Sequence, residues 1–446
     1  MACAAPHAAQ TRTFSGGVAS MVPMRCIFPW LLLLASAGCA FVVAEPSNAA
    51  FPSPPNIKGL QVQMNDDAMK LGIHHAGINV SLGALMDLDM KPGNPRWTCE
   101  GREFSFNASY VASLDKQIEP LADAGIVVYA ILLAYPTKQA AKDKVLIHPN
   151  ARADGKYNIA AFNTVTPEGT RWYRAVTEFL AHRWQGKVWG WIVGNEVNSH
   201  WLWYNMGLAS MEQVASEHEK AVRIAHESVT KAMKHARVYV SFDHHWRASM
   251  GGISPQEATP GRDFLDAFAR IAKERGDFPW NVAHHPYPED LGNPRVWADK
   301  TVTFDDNTNK VTFKNLEVLC QHLEKRELLY QDKPRRVILS EQGFHTLLTP
   351  EGEKLQAAAF AYAWEKCQRL SLIDAFIYHR HVDHAKEGGL RLGLWRNAPN
   401  SVADPHSTKM IYDLFIKAGT PAWEEAAKFA LPVASLKSWD ELASKR

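Results

Sequence analysis

The chain has 446 residues, 46% of them hydrophobic and 22% charged, a balance typical of globular proteins and not of disordered or fibrous ones. Its 49 Lys and Arg against 47 Asp and Glu leave a formal net charge of +2, which argues against a nucleic-acid partner. The aromatic content of 10%, including 15 Trp, is compatible with core packing and with stacking on sugar rings.

The first 50 residues have the pattern of a secretory signal peptide. An apolar stretch from Ile27 follows Arg25, and small residues lead to an expected cleavage site near residues 49–50. The apolar stretch is too short to predict a lasting membrane span, so we expect a secreted or periplasmic protein. A loose lipoprotein box around Cys39 leaves a lipid anchor as the alternative. The three cysteines beyond this segment are widely spaced and odd in number, which indicates no disulfide framework.

Eight short β-rich runs alternate with helical patterns between residues 71 and 420. This alternation predicts the α/β class and a closed (β/α)8 (TIM) barrel with loop insertions. The second run is the weakest because it is short and rich in polar residues. The predicted strands span residues 72–82, 102–107, 125–135, 188–197, 236–246, 280–288, 335–344 and 373–383.

Three further segments are predicted to lie outside these strand–helix units. Residues 51–70 contain "FPSPPN" and are interpreted as a linker and N-terminal extension. Residues 300–315 alternate with a period of two around an Asp-Asp-Asn-Thr-Asn turn, which predicts a β-hairpin after the sixth strand. Residues 421–446 are predicted to form a helical tail packed on the barrel.

Two glutamates end predicted strands. Glu196 ends the fourth strand and Glu341, in "VILSEQGF", ends the seventh. Because the C-terminal ends of barrel strands form the site in TIM barrels, both side chains are expected to project into one cleft. Such a pair suits cleavage of a glycosidic bond, where one acid protonates the leaving oxygen and the other attacks the anomeric carbon or activates water. The alternative is a salt bridge from each acid to Arg335 or Arg336.

The segments "GNE" and "SEQGF" at these strand ends resemble the clan of retaining (β/α)8 glycoside hydrolases. In that clan an Asn-Glu pair after strand four supplies the acid/base, and a Glu after strand seven is the nucleophile. The resemblance covers about residues 70–420. The longer signature "WIVGNEVNSHWLWYNMG…HHPYP…LSEQGF" is also similar to a bacterial family known only as a domain of unknown function, number 5722, which implies no substrate.

The clan resemblance implies a role for four residues. Glu196 would be the acid/base and Glu341 the nucleophile of a double displacement that retains the anomeric configuration. Asn195 corresponds to the Asn that hydrogen-bonds the sugar 2-hydroxyl. Tyr287 corresponds to an aromatic hydroxyl that contacts the nucleophile. The implied substrate is a poly- or oligosaccharide, and no cofactor or metal is expected.

Other residues at predicted strand ends are candidates for sugar contacts. The histidines among them are equally suited to hydrogen bonds within the barrel, and the tryptophans to core packing. The candidates are Asn79, Trp203, His245, Trp246, His285, His379 and Trp395.

A metal-dependent hydrolase is the alternative enzyme class, because such barrels collect ligands from strand ends. The ligands would come from His74, His75, Glu196, His244, His245, His284, His285 and Asp383. Adjacent side chains of the first His-His pair would point to opposite faces of a strand, and Glu341 would have no role. Both observations favour the glycosidase. A third class is a glycan-binding barrel without catalysis, which the presence of both acids disfavours.

Overall fold

The computed structural model describes residues 45–154, 157, 159–251 and 254–443. The greater part of the predicted signal peptide, residues 1–44, and the alternative lipid anchor at Cys39 lie outside the described residues. In the described part of the chain, no helix is both long and apolar enough to cross a membrane.

Eight parallel strands close into a barrel and confirm the predicted (β/α)8 fold. In chain order, the barrel strands are β1, β2 and β6–β11. Strands β3–β5 form a separate antiparallel sheet, and β12 and β13 pair as an antiparallel hairpin. The strands are β1 (Lys58–Gln61), β2 (His75–Ser81), β3 (Met86–Asp87), β4 (Arg96–Cys99), β5 (Arg102–Phe106), β6 (Val127–Leu133), β7 (Val188–Val193), β8 (Arg237–Phe242), β9 (Trp280–His284), β10 (Val337–Leu339), β11 (Ile373–Tyr378), β12 (Trp395–Asn397) and β13 (Pro405–Thr408).

The first barrel strand lies before the predicted one. Strand β1 falls inside residues 51–70, the stretch interpreted as a linker, and it closes the barrel between β2 and β11. The predicted second strand, residues 102–107, coincides with β5 and lies outside the barrel. These two errors cancel in the strand count. Glu196 therefore still follows the fourth barrel strand, β7, and Glu341 the seventh, β10.

The predicted hairpin at residues 300–315 is wrong. The described structure has an irregular loop there, and side-chain hydrogen bonds replace the strand ladder. The amide of Asn315 donates to the carbonyl oxygen of Thr303 at 2.7 Å and to that of Lys310 at 3.0 Å. One buried amide thus ties the two arms of the loop together.

Alternate residues of each barrel strand belong to different packing layers. In β6, Tyr129, Ile131 and Leu133 belong to the cluster inside the barrel. Val128 and Leu132 of the same strand pack in the outer cluster with the helices. Since side chains alternate between the faces of a strand, this parity also indicates which residues beyond a strand end face the cleft.

The helices surround the barrel, and several begin at clear sequence signals. Helix α5 starts with Pro167 after the N-cap Thr166, whose hydroxyl accepts the N–H of Gly169 at 3.1 Å. Such a cap contributes about 1 kcal/mol. The helices are α1 (Asn65–Lys70), α2 (Leu82–Leu85), α3 (Ala108–Asp123), α4 (Ala140–Leu146), α5 (Pro167–Arg183), α6 (Met211–Ala232), α7 (Gly261–Glu274), α8 (Glu317–Leu323), α9 (Gly352–Gln368), α10 (Met410–Lys417), α11 (Trp423–Ala427) and α12 (Ala430–Val433).

Short helices and turns make up the C-terminal segment that the structure describes. Helices α11 and α12 follow α10, and the indole N–H of Trp423 donates to Glu365 of α9 at 2.6 Å. Trp423 also packs edge-on against Phe360 of the same helix, with ring centroids 6.1 Å apart. These contacts hold the segment on the outside of the barrel.

Candidate active site

A sharp turn after β7 presents Glu196. Gly194 has φ +75, and a Cβ there would lie 2.8 Å from the ring of Tyr204, so only glycine fits. Glu196 itself adopts the left-handed conformation, with φ 39 and ψ 54, immediately before the 3-10 turn Val197–Ser199. This conformation costs a non-glycine residue about 1–2 kcal/mol. Its backbone N–H donates to Oγ of Ser241 at 3.1 Å, which anchors the turn to β8.

The carboxylate of Glu196 contacts an imidazole. Oε1 of Glu196 lies 2.8 Å from Nδ1 of His285, which follows β9 and is only 2% exposed. The other ring nitrogen of His285 lies 3.0 Å from Oγ of Ser340 and 3.4 Å from Oγ of Ser241. The ring is therefore fixed on both sides, and it fixes the carboxylate in turn.

Glu341 follows β10 and is held by a phenol. The hydroxyl of Tyr287 donates to Oε1 of Glu341 at 3.2 Å. Burial raises the pKa of Tyr287 well above its usual value of 10, and the neighbouring charge of Glu341 adds to the shift. The phenol consequently keeps its proton and remains a donor to the carboxylate.

The two glutamates face each other across the top of the barrel. A carboxylate oxygen of Glu196, one of Glu341 and a ring nitrogen of His285 all lie within 4.8 Å of one another. The salt bridges considered as the alternative are not formed. Arg335 pairs with Asp277 at 2.7 Å, and Arg336 with Asp374 at 3.0 Å.

The electrostatic environment favours a proton on the pair Glu196–His285. Burial raises the pKa of Glu196; the hydrogen bond with His285 opposes this rise, while the charges of Asp243 and Glu341 add to it. Burial lowers the pKa of His285, but the hydrogen bond to Glu196 and the charge of Glu341 outweigh burial, and the pKa is raised. Both shifts favour the protonated forms of the pair beside a second acid, as acid–base chemistry requires.

Three further predicted residues lie at the cleft. Asn195 is buried between Gly194 and Glu196 at the end of the fourth barrel strand. Asn79 is exposed, although it lies within β2, because it is on the inward face near the C-terminal end of the strand. His379 follows β11, with Nδ1 2.7 Å from Gln61 and Nε2 2.8 Å from Glu387.

Two of the predicted tryptophans are engaged elsewhere. Trp246 is 4% exposed and packs edge-on against His322 at 4.9 Å, so it belongs to the core and is not a sugar platform. Trp246 lies beyond the end of β8, in an irregular segment where its backbone N–H donates to the carbonyl oxygen of Asn309 at 2.9 Å, so the strand pattern did not place its ring. Trp395 donates its indole N–H to Asp67 at 2.9 Å and packs against Tyr412. It stays partly exposed.

The remaining two candidates border the site. Trp203 is partly exposed and packs on the cluster inside the barrel. His245 contacts Asp243 through its ring, with Nδ1 3.0 Å from Oδ2.

The ligand set needed for a metal-dependent hydrolase is dispersed. A ring nitrogen of His244 and one of His284 each contact a backbone carbonyl oxygen, at 3.0 and 3.1 Å. Asp383 pairs with Lys409 at 2.7 Å. Among the described residues, the one trio of acid and imidazole atoms within 4.8 Å is the hydrogen-bonded group at the two glutamates.

Several residues of the site escaped prediction although a signal was present. In β8 and just beyond it, Tyr239, Ser241 and Asp243 alternate with apolar outward residues, and this period of two marks the last two as cleft residues. Gln61 had no such signal because it lies in the short strand β1. Glu387 had none because it lies in an irregular loop.

Similar solved structures share this barrel. The chain is similar to a family 39 glycoside hydrolase from Bacteroides cellulosilyticus WH2, with TM-score 0.53 and 12% identity over 84% of this chain and 66% of that one, slightly less than two thirds. It is similar to a β-glucosidase from Pyrococcus furiosus, with TM-score 0.52 and 14% identity over 83% and 86%. It is also similar to a family 1 β-glucosidase from Thermotoga maritima, with TM-score 0.50 and 11% identity over 80% of this chain and 85% of that one. At such identities the likeness shows the fold.

No curated protein matches the chain by sequence. The model of the Family of unknown function (DUF5722) matches residues 50–442, so the chain belongs to that family.

Proposed function

We propose that the protein is a glycoside hydrolase that cleaves a poly- or oligosaccharide with retention of anomeric configuration. Glu196 is the acid/base and Glu341 the nucleophile. One observation carries the proposal, namely the two carboxylates held within 4.8 Å across the cleft. Retaining enzymes place their carboxyl groups about 5–5.5 Å apart and inverting enzymes about 6.5–9.5 Å apart, so this separation leaves no room for an activated water between them.

In the first step the two acids act on opposite sides of the glycosidic bond. The carboxylate of Glu341 forms a bond to the anomeric carbon while the bond to the leaving oxygen breaks, and Glu196 gives its proton to that oxygen. Burial raises the pKa of Glu196, which favours the protonated form that this step needs. The hydroxyl of Tyr287 orients the attacking carboxylate.

In the second step water releases the sugar from Glu341. Glu196, now ionised, takes a proton from the water as its oxygen attacks the anomeric carbon, and the Glu341 carboxylate leaves. Loss of the Glu341 charge in the intermediate lowers the pKa of Glu196, since that charge contributes to raising it. This change prepares Glu196 to act as a base. Asn195, beside Glu196, is the candidate donor to the sugar 2-hydroxyl.

We also propose that the protein is exported, as the signal-like pattern of residues 1–50 supports. N-terminal sequencing of the protein expressed at full length tests this. A mature N-terminus near residue 50 in the secreted or periplasmic fraction supports export. An acylated Cys39 would indicate the lipid anchor instead, and an uncleaved cytoplasmic protein would contradict both.

A screen of plant and algal polysaccharides and aryl glycosides tests the activity. Wild type is compared with Glu341→Ala and with a control, Glu168→Ala, which removes an exposed acid of α5 that pairs with Arg102. The proposal predicts turnover by wild type and control, and none by Glu341→Ala. Proton NMR of the first product then reports the anomer. An inverted first product, or turnover that survives Glu341→Ala, would contradict the mechanism.

An EDTA-treated assay separates the alternative class. The glycosidase is expected to keep its activity after chelation, whereas a metal-dependent hydrolase would lose it and recover on addition of a divalent cation. Glycan binding without turnover by wild type would indicate the third class, a binding barrel.

A further inference from the structure

Asp243 is a buried carboxylate near the acid/base whose charge contributes to raising the pKa of Glu196 and whose hydrogen bonds the mechanism does not yet use. It follows β8 and is 5% exposed. Oδ1 accepts the side-chain amide of Asn198 at 2.6 Å and the backbone N–H of His245 at 2.8 Å. Oδ2 accepts the hydroxyl of Ser199 and contacts Nδ1 of His245 at 3.0 Å. All four contacts are made within the protein.

The contact with Asn198 is reciprocal. The backbone N–H of Asp243 donates to the side-chain oxygen of Asn198 at 3.0 Å, while the amide of Asn198 donates back to the carboxylate. Asn198 and Ser199 are completely buried and belong to the 3-10 turn that directly follows Glu196. Three hydrogen bonds therefore join the end of β8 to the turn behind the acid/base.

These three hydrogen bonds, which we call the clamp, act on a strained segment, the backbone turn at Glu196. The left-handed backbone of Glu196 persists only where the surrounding structure over-determines it. Ser241 accepts the N–H of Glu196, and Asp243 accepts the amide of Asn198 in the turn that follows. Ser241 lies in β8 and Asp243 directly follows it, so the end of β8 sets where the carboxyl group of Glu196 lies.

Burying a charge is costly unless it is fully paired. Burial opposes ionisation of Asp243, but His245 and the hydroxyl of Ser199 outweigh it and hold the pKa of this carboxyl well below its usual range. Asp243 is consequently a fixed anion, and the hydrogen bonds that it accepts are the stronger, charge-assisted kind.

We propose that Asp243 is a positioning residue for the acid/base, which holds the turn that aims Glu196 at the glycosidic oxygen. This inference rests on the proposed function. Asp243 touches neither the nucleophile nor, in the mechanism, the reacting atoms. Its loss should therefore impair proton transfer to the leaving group and leave nucleophilic attack by Glu341 intact.

Leaving-group dependence isolates this effect. Two glycosides of the sugar found by the screen are compared, one with a 2,4-dinitrophenyl group, which departs without a proton, and one with an alkyl group, which needs the acid. General acid catalysis accelerates a reaction about 10²–10⁴-fold, so a misplaced Glu196 should lose part of that acceleration. For Asp243→Asn we expect kcat/KM to fall about tenfold on the alkyl glycoside and less than about twofold on the dinitrophenyl glycoside. Glu196→Gln should show the same pattern more strongly.

Two more variants make the test decisive. Asp383→Asn is the matched control, because Asp383 is also a buried acid after a barrel strand but binds Lys409 and the N–H of Gly393. Asp383→Asn should lower kcat/KM equally on both glycosides. Ser199→Ala removes one hydrogen bond of the clamp and should give a weaker selective loss, which decides the matter if Asp243→Asn does not fold.

Equal losses of Asp243→Asn and Ser199→Ala on both glycosides, alongside a leaving-group effect in Glu196→Gln, would overturn the positioning role and leave the proposed function standing. Failure of the proposed function looks different, since wild type would then show no turnover that depends on Glu341.

Discussion

A buried imidazole and the acid/base share one hydrogen bond, with Nδ1 of His285 2.8 Å from Oε1 of Glu196. Ser340 and Ser241 hold the far nitrogen of the ring, so its orientation is fixed. The pKa of the ring and that of the carboxyl group are both raised, and both groups lie beside Glu341. The charge of the nucleophile thus influences when that proton leaves.

Neutralising the nucleophile should lower the pKa of Glu196. The negative charge of Glu341 disfavours a second charge nearby and contributes to raising the pKa of both Glu196 and His285. In Glu341→Gln this contribution is lost, so Glu196 ionises at lower pH than in wild type. Carbon-13 NMR of the Glu196 carboxyl carbon against pH measures the shift, with Glu196→Gln assigning the signal. An unchanged or increased pKa would refute the coupling.

Tyr287→Phe should slow the reaction without unfolding the protein. The phenol donates to the carboxylate of Glu341, and a hydrogen bond to a charged group contributes about 1.5–3 kcal/mol. We expect kcat/KM to fall about ten- to a hundredfold, on activated and unactivated substrates alike, because the nucleophile is affected. Steady-state kinetics and thermal unfolding are measured together. A large loss of stability with normal kinetics would assign Tyr287 to the fold alone.

Lys409→Met should destabilise the barrel by about 3–5 kcal/mol, because it leaves the buried carboxylate of Asp383 unpaired. Burial already lowers the pKa of Lys409 to about 8, which reflects the cost of the charged form. Urea unfolding measures the change, and adding Asp383→Asn should restore part of the loss. The exposed Lys428, paired with Glu425, provides the control, and Lys428→Met should leave stability unchanged. Equal effects of the two lysine variants would contradict the prediction.

Substitutions of two tryptophans should separate packing from binding. Trp246→Ala removes a buried ring from the core and should lower the free energy of unfolding by about 3–5 kcal/mol, with KM unchanged. Trp203 is partly exposed above the barrel interior, so Trp203→Ala should raise KM more than it lowers stability. Unfolding curves and KM are compared for both. A raised KM in Trp246→Ala with normal stability would contradict the assignment.

The sequence allowed the two glutamates to be located because apolar, buried strands lead up to both. Strand β7 is almost wholly buried and β10 completely so, and the acids stand where each run ends. The first strand was missed because β1 has four residues, among them Lys58 and Gln61, and its role depends on pairing with β11 at the other end of the chain. Closure of a barrel is not visible in a local pattern.

Side-chain partners explain the other differences. The alternating pattern of residues 300–315 suggested a ladder, but Asn315 supplies the hydrogen bonds instead. The indole N–H of Trp395 donates to Asp67, more than 300 residues earlier in the chain, and a sugar contact of its ring stays a prediction. Such long-range contacts have no local signature.

The most direct test of the nucleophile is to trap the sugar on it. A 2-deoxy-2-fluoro glycoside with a dinitrophenyl leaving group forms the covalent intermediate faster than water releases it, because the fluorine slows both steps and the leaving group speeds only the first. Mass spectrometry of the digested protein should then show the peptide containing Glu341 heavier by one fluoroglycosyl group, and unmodified in Glu341→Gln. An adduct on another residue, or none in an enzyme that turns over the parent glycoside, would contradict a covalent mechanism through Glu341.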